Sequence, residues 1–221
     1  MINSINNILN PLNSLEAFRR TIERNKTNKI LAIGPLTNIA SVFLRYPFLC
    51  GHVDEVWVAG GTFKLRANKR AAEEFNFYFD PRAAEIVFSA PVSIRLISFD
   101  VTERVLFDKE FIENFEKRKD KIWKFIFKIL NFSYNFNRTK RGLSAAHLPD
   151  LVAACLFLNE GLADFRKIKV SIDKKAGRII RNPRGKEVLV ADNLRDKKIK
   201  EQALYNLLKL AVMRGERDEI I

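Results

Sequence analysis

A chain of 221 residues is long enough for one substantial core, and 47% hydrophobic with 29% charged residues is ordinary for a soluble globular protein. The net charge of +13 suits an acidic partner such as nucleic acid or an anionic membrane surface. Its basic residues are spread over 19–29, 64–70, 117–128, 138–141, 167–184 and 195–200, with no zinc knuckle, RNP sequence or tandem basic repeat. A solvated basic surface without a nucleic-acid partner is therefore expected.

Residues 1–18 show no basic region followed by an apolar stretch, so no signal peptide is expected. The densest apolar run, 122–136, is broken by Lys124, Lys128 and Asn131 and is too short and polar to span a bilayer. No membrane partner is expected from it. Cys50 and Cys155 stand far apart without metal-type spacing and read as two small buried thiols in a reducing, cytoplasmic setting.

Along the chain, Glu16 and Glu23 lie on what reads as a first helix. Residues 29–33 (KILAI) are a short β-rich run closed by Gly34-Pro35, and Pro35 fits the first turn of a following helix. From Thr37 to Arg45 the apolar residues Ile39, Val42, Phe43 and Leu44 keep a helical spacing that stops before Pro47. A second buried-type strand, 56–59 (VWVA), ends at Gly60-Gly61. No G-x-G-x-x-G occurs there or elsewhere, so dinucleotide binding has no support. Asp80 is a good cap for a helix begun by Pro81 and carrying Ala83, Ala84, Ile86, Val87 and Phe88. Pro91 breaks that helix, and 92–97 (VSIRLI) is a third strand running into Ser98-Phe99-Asp100. Two successive strand–loop–helix–strand units predict an α/β fold: an open, mainly parallel, Rossmann-like sheet flanked by helices.

From Asp108 to about Phe136 the pattern is helical and rich in Phe and Lys. Its aromatics Phe132, Tyr134 and Phe136 read either as core or as a face on which a base could stack. Another helix, 148–158, begins at Pro149-Asp150. Segments 166–172, 177–181 and 187–190 read as short strands joined by Gly, Pro and Asn turns, and 194–213 closes as a helix. No repeat or linker divides the chain, so 14–215 reads as one domain behind a poorly defined extension, 1–13. Ligands of an open parallel sheet lie beyond the carboxyl ends of its strands. That rule selects 34–38, 60–80, 100–102 and the segment leading into Asp150.

Five blocks in these regions carry a family resemblance: ILAIGPLTNIA (30–40), VDEVWVAGGTF (53–63), AEEFNFYFDPRAAEIVF (72–88), SFDVT (98–102) and LPDLVAACLFL (148–158). In this order and spacing they resemble the inosine-uridine preferring nucleoside hydrolases over most of 14–215. The resemblance implies that family's fold, here N-terminally truncated, and cleavage of the N-glycosidic bond of ribonucleosides to base and ribose through an oxocarbenium-like transition state. It also implies Ca²⁺ at the carboxyl edge of the sheet, holding the ribose diol and the attacking water. Thr37 then matches a position whose backbone carbonyl binds calcium, and Asp150 the calcium-binding aspartate that also meets a ribose hydroxyl. Asn68, Glu74 and Asn76 match three polar residues that hold ribose hydroxyls. Taken alone, Asp150 also reads as part of a helix cap and Glu74 and Asn76 as an exposed loop, while Asp100 is a site neighbour or a turn residue.

The sequence departs from the family pattern in three places. The family's D-x-D-x-x-x-D-D cluster is absent before Lys29, where Glu16 and Glu23 are the only acids. The general-base aspartate thus has no counterpart, and calcium falls short of the roughly 6–8 oxygens it prefers. Pro149 stands where some members carry a general-acid histidine, which leaves His147 a candidate acid that also reads as a loop or cap histidine. Ala67 replaces the usual glycine before Asn68. Three functions are therefore weighed: a ribohydrolase, working alone or with a separately encoded N-terminal segment and as a dimer or tetramer like its family; a catalytically inactive truncated remnant; and, ranked last, a basic nucleic-acid-binding module.

Overall fold

A computed structural model of the chain describes residues 11–64, 74–116 and 121–218. Its strands in chain order are β1 (Lys29–Ala32), β2 (Glu55–Ala59), β3 (Ser93–Ile97), β4 (Leu106–Phe107), β5 (Ala146–His147), β6 (Asp164–Ile172), β7 (Ile179–Arg181) and β8 (Lys186–Asp192). The helices are α1 (Pro11–Arg24), α2 (Thr37–Arg45), α3 (Phe75–Phe79), α4 (Pro81–Ser89), α5 (Phe99–Thr102), α6 (Lys109–Glu116), α7 (Lys121–Arg141), α8 (Pro149–Leu158) and α9 (Asp196–Asp218). Contacts divide the chain into two compact units, Met1–Asp100 with Phe165–Ala191 and Val101–Asp164 with Asp192–Ile221.

The first unit is built on a six-stranded sheet of order β1-β2-β3-β8-β6-β7. Its strands run parallel from β1 through β2 and β3 to β8, and β7 is antiparallel to β6. This is the open, mainly parallel α/β sheet that the strand–helix alternation predicts. One face, carrying Ile30, Ala32, Val56, Val58, Ile94 and Leu96, packs on α2 through Ile39, Val42 and Phe43 and on α4 through Ala84, Val87 and Phe88. The other face gives β2 and β3 their second set of buried residues, Trp57 and Ile97. Burial on both faces explains why these strands read as unbroken apolar runs. Arg95, the cross-strand partner of Trp57, is sandwiched with its guanidinium 4.8 Å from the Trp57 ring and 5.0 Å from Phe165. Glu55 accepts from Arg95 Nε (2.8 Å) and Trp57 Nε1 (3.1 Å), which fixes the pairing of β2 and β3 with side chains as well as backbone.

In the second unit the helical pattern from Asp108 onward is two helices, α6 and α7, rather than one. Asp108 caps the first by accepting from Phe111 N (2.9 Å). Phe107, Phe111, Phe115 and Trp123 form a chain of buried rings with centroids 4.7, 5.6 and 5.8 Å apart. Tyr134 is buried on α7, whereas Phe132 and Phe136 are exposed, so the aromatic stripe singled out in the sequence belongs to two faces. Among the described residues no helix is long and apolar enough to cross a membrane.

Two glycines separate backbone strain from crowding. Gly177 (φ +62°) and Gly142 (φ +67°) are both left-handed, but a Cβ on Gly177 would strike the Phe77 carbonyl, while one on Gly142 meets nothing within 4 Å. Gly142→Ala should cost about 1 kcal/mol in urea-unfolding free energy, the backbone term alone. Gly177→Ala should cost roughly 2–4 kcal/mol. Equal losses would contradict the packing described here.

Candidate functional site

The carboxyl end of β2 runs into Gly60 (φ +147°) and Gly61 (φ +68°), a turn that side chains on ordinary residues do not adopt. Gly60 N donates to Ile97 O (3.1 Å) and Phe99 N donates to Gly61 O (2.9 Å), so the turn is laced to the end of β3. The Glu74 carboxylate completes it. Its Oε2 accepts from Gly61 N (2.7 Å) and Phe77 N (3.1 Å), and its Oε1 from Asn76 N (3.0 Å). Glu74 is thus the N-cap of α3, a helix where the sequence suggested a polar loop. A Cβ on Gly60 would lie 2.9 Å from Glu74 Oε2, which is why the chain needs glycine there.

Asn76, on the first turn of α3, donates from Nδ2 to Ala59 O (3.1 Å), while its amide oxygen accepts from no described residue. Asp100 is buried: its Oδ1 accepts from the Thr62 hydroxyl (2.8 Å) and its Oδ2 from Phe63 N (2.7 Å). It clasps the segment after the glycine turn through both of its oxygens. Thr37 begins α2 and donates its hydroxyl to Asp80 Oδ2 (2.8 Å), and its carbonyl accepts the Ser41 hydroxyl (2.7 Å). Asp80 also accepts from Ala83 N (2.9 Å), the helix cap the sequence predicted. Asn68, with Ala67 before it, lies outside the described residues.

In the second unit Asp150 sits on the first turn of α8. That helix has Leu148 as its N-cap residue and no side-chain capping bond, so Asp150 does not serve as the cap. Its carboxylate accepts from no described residue, and the protein around it displaces enough water to raise the carboxyl above its usual range. His147 is half-buried in β5, paired with Leu106 of β4. Burial, then the nearby Arg141, lowers its imidazole below the usual histidine range, against the opposing pull of the Thr102 backbone and Glu103.

Of the residues singled out in the sequence, Glu74 and Asn76 come together at the glycine turn, and Thr37 meets Asp80. The clasping role of Asp100 had only its strand-end position as a signal. Glutamate is an uncommon N-cap, so nothing in the local pattern marked Glu74 as one. A cavity of about 340 Å³ lies beside β1, walled by Leu15, Phe18, Ile30 and Ile39 with Gly34 and Asn38, and none of the candidate side chains lines it. Among the described residues no group of three or more His, Cys, Asp or Glu side chains is placed to hold a metal ion. Glu74 and Asp100 accept from N–H and O–H donors on both of their oxygens. The described residues do not fit a calcium cage of 6–8 oxygens.

A family model, that of the inosine-uridine preferring nucleoside hydrolases, matches residues 4–205. The chain belongs to this family. Among curated nucleoside hydrolase relatives, the probable uridine nucleosidase 1 of Oryza sativa subsp. japonica is 30% identical over 144 residues, 65% of this chain and 44% of that protein. The pyrimidine-specific ribonucleoside hydrolase RihA of Shewanella sp. (strain ANA-3) is 29% identical over 167 residues, 75% of this chain and 52% of that protein. The chain therefore spans about half the length of the curated relatives it matches. In fold it superimposes on a plant nucleoside hydrolase with a TM-score of 0.80 and 20% identity, covering 88% of this chain and 66% of that one. It also matches a purine-preferring ribonucleoside hydrolase from Gardnerella vaginalis, with a TM-score of 0.81 and 20% identity over 89% and 66% of the two chains.

If Glu74 is the clip that holds the turn, Glu74→Gln should destabilise the chain by roughly 1–3 kcal/mol. A glutamine has one acceptor oxygen, so its NH₂ must face at least one of the three backbone N–H donors. Urea unfolding checks the loss, and hydrogen exchange at the Gly61, Asn76 and Phe77 amides checks its cause. An unchanged midpoint with unchanged protection at all three would contradict the assignment.

Proposed function

We propose that this chain serves the hydrolysis of ribonucleosides to free base and ribose. The bond broken is C1′–N. Water supplies the oxygen that bonds to C1′, and its proton leaves with the base through an oxocarbenium-like transition state. Asp150 is the observation that carries the reading. Asp80, Asp100 and Glu74 are used by the fold, but Asp150 is an exposed carboxylate on the first turn of α8 with no described donor, so its oxygens are free for a ligand.

In this reading Asn68, Glu74, Asn76 and Asp150 meet ribose hydroxyls. Asn76 offers its amide oxygen. Glu74 has used three of the roughly four acceptor directions of a carboxylate, and the last can take a sugar hydroxyl. Its backbone bonds make both residues rigid before the sugar arrives, so less ordering is needed on binding. His147, kept neutral by burial, is a poor proton donor at neutral pH and is given no proton-transfer step.

Calcium, when bound in such a site, positions and acidifies a water and grips a vicinal diol. The family resemblance assigns Thr37, whose carbonyl already accepts the Ser41 hydroxyl, and Asp150 as the positions of this chain that would contact it. The rest of the cage must come from carboxylates beyond the described residues, in a segment of the D-x-D-x-x-x-D-D type. The two free, buried cysteines suit a reducing compartment, and we place the reaction in the cytoplasm.

The names of the relatives make uridine the first substrate to try. With millimolar Ca²⁺, base release should be seen only when a segment carrying the aspartate motif is added or fused. In that reconstituted enzyme Asp150→Asn should lower kcat/KM about 100-fold, or about 2.7 kcal/mol, and Asn76→Ala should act mainly by raising KM about tenfold. Absence of turnover with the segment present would leave the inactive-remnant reading standing.

A further inference from the structure

The sequence placed no membrane partner beside this chain, and it left the α7 aromatics between core and a base-stacking face. Their positions in the second unit change both points. Trp123, Leu130, Tyr134 and Asn137 are buried on one face of α7. On the opposite face Phe125 (64% exposed), Ile129 (50%), Phe132 (73%) and Phe136 (46%) stand in solvent. Their spacing of four, three and four residues sets them within about 60° of one another on the helix, in a stripe about 16 Å long. Phe132 and Phe136 stack with centroids 6.5 Å apart at one end of the row. Isolated exposed apolar residues are ordinary, but four in one row mark a docking face.

The charges around the row identify what docks there. The helix carries Lys121, Lys124, Lys128, Arg138, Lys140 and Arg141 and no acidic residue. Lys121, Lys128 and Lys140 border the stripe, each within about 70° of its centre. A second copy of the chain would bring an equally cationic helix against this one, and the like charges would oppose it. Duplex nucleic acid would satisfy the lysines but not the apolar row, and single-stranded bases, which could stack on the rings, would leave Ile129 in the middle of the row without a partner. A membrane surface with anionic headgroups satisfies both, because the rings enter the boundary of headgroup and acyl chain while the lysines reach the phosphates and carboxylates. Such a helix lies on the membrane and need not cross it.

We propose that the Phe125–Ile129–Phe132–Phe136 face of α7 docks this protein on anionic membrane surfaces. The test is sedimentation with vesicles of phosphatidylcholine alone and of phosphatidylcholine with 30% phosphatidylserine, an amount of about one lipid in three chosen to give a strongly negative surface. The chain should sediment with the anionic vesicles, lose binding as NaCl rises, and stay in solution with phosphatidylcholine alone. Phe125→Ser with Phe132→Ser should weaken binding at least tenfold, and Lys128→Glu with Lys140→Glu should do the same. All four side chains are exposed, and circular dichroism and the unfolding midpoint should match those of the parent chain. Binding that ignores the phenylalanine pair, or no binding to anionic vesicles, would overturn the proposal. So would a concentration-dependent dimer that the phenylalanine pair abolishes, which would assign the face to a second copy.

Discussion

A single carboxylate holds the carboxyl edge of the first unit together. Glu74 accepts from three backbone N–H groups, two on its own short helix and one on Gly61, thirteen residues upstream. The bond to Gly61 is possible only because Gly60 and Gly61 carry no side chain and take positive φ. With the turn fixed, β2 and β3 end in register, Asp100 ties down Thr62 and Phe63, and Ile179 N reaches Thr62 O. Phe77 is buried under the turn and is met from the far side by Gly177. Remove the carboxylate and a buried or half-buried donor is left without its acceptor, which costs more than the bond was worth.

This clip also sets what the edge can do. The carboxylates of this rim are taken up by N–H and O–H donors, and the Asn76 side chain is held by its bond to Ala59 O. The rim is not a cation cage, because an acid whose lone pairs are occupied by the backbone has little left for a metal. Asp150, in the second unit, is different in kind: an exposed carboxylate that caps no helix and accepts from no described donor.

Much of the fold was legible in the sequence, for a physical reason. β1, β2, β3, α2 and α4 are bounded by Gly34-Pro35, Gly60-Gly61, Asp80-Pro81 and Pro91, and those residues end or start elements by their own backbone preferences. The strand-end rule likewise pointed to the loops that hold Glu74, Asn76 and Asp100. What stayed hidden depends on partners distant in sequence. No local pattern says that Glu74 will bond to Gly61, that Asp100 will bond to Phe63, or that β8 will lie beside β3. α7 was ambiguous because it is apolar on two faces, and periodicity alone cannot say which of them the rest of the unit covers.

The account turns on Glu74, Asp80 and Asp100 of the first unit being spent on backbone N–H and threonine hydroxyl donors, and a calorimetric Ca²⁺ titration of the chain tests this most directly. It predicts no saturable uptake tighter than about 1 mM, the weak end of protein calcium sites. Saturable binding at micromolar calcium, lost in Glu74→Gln, would contradict it.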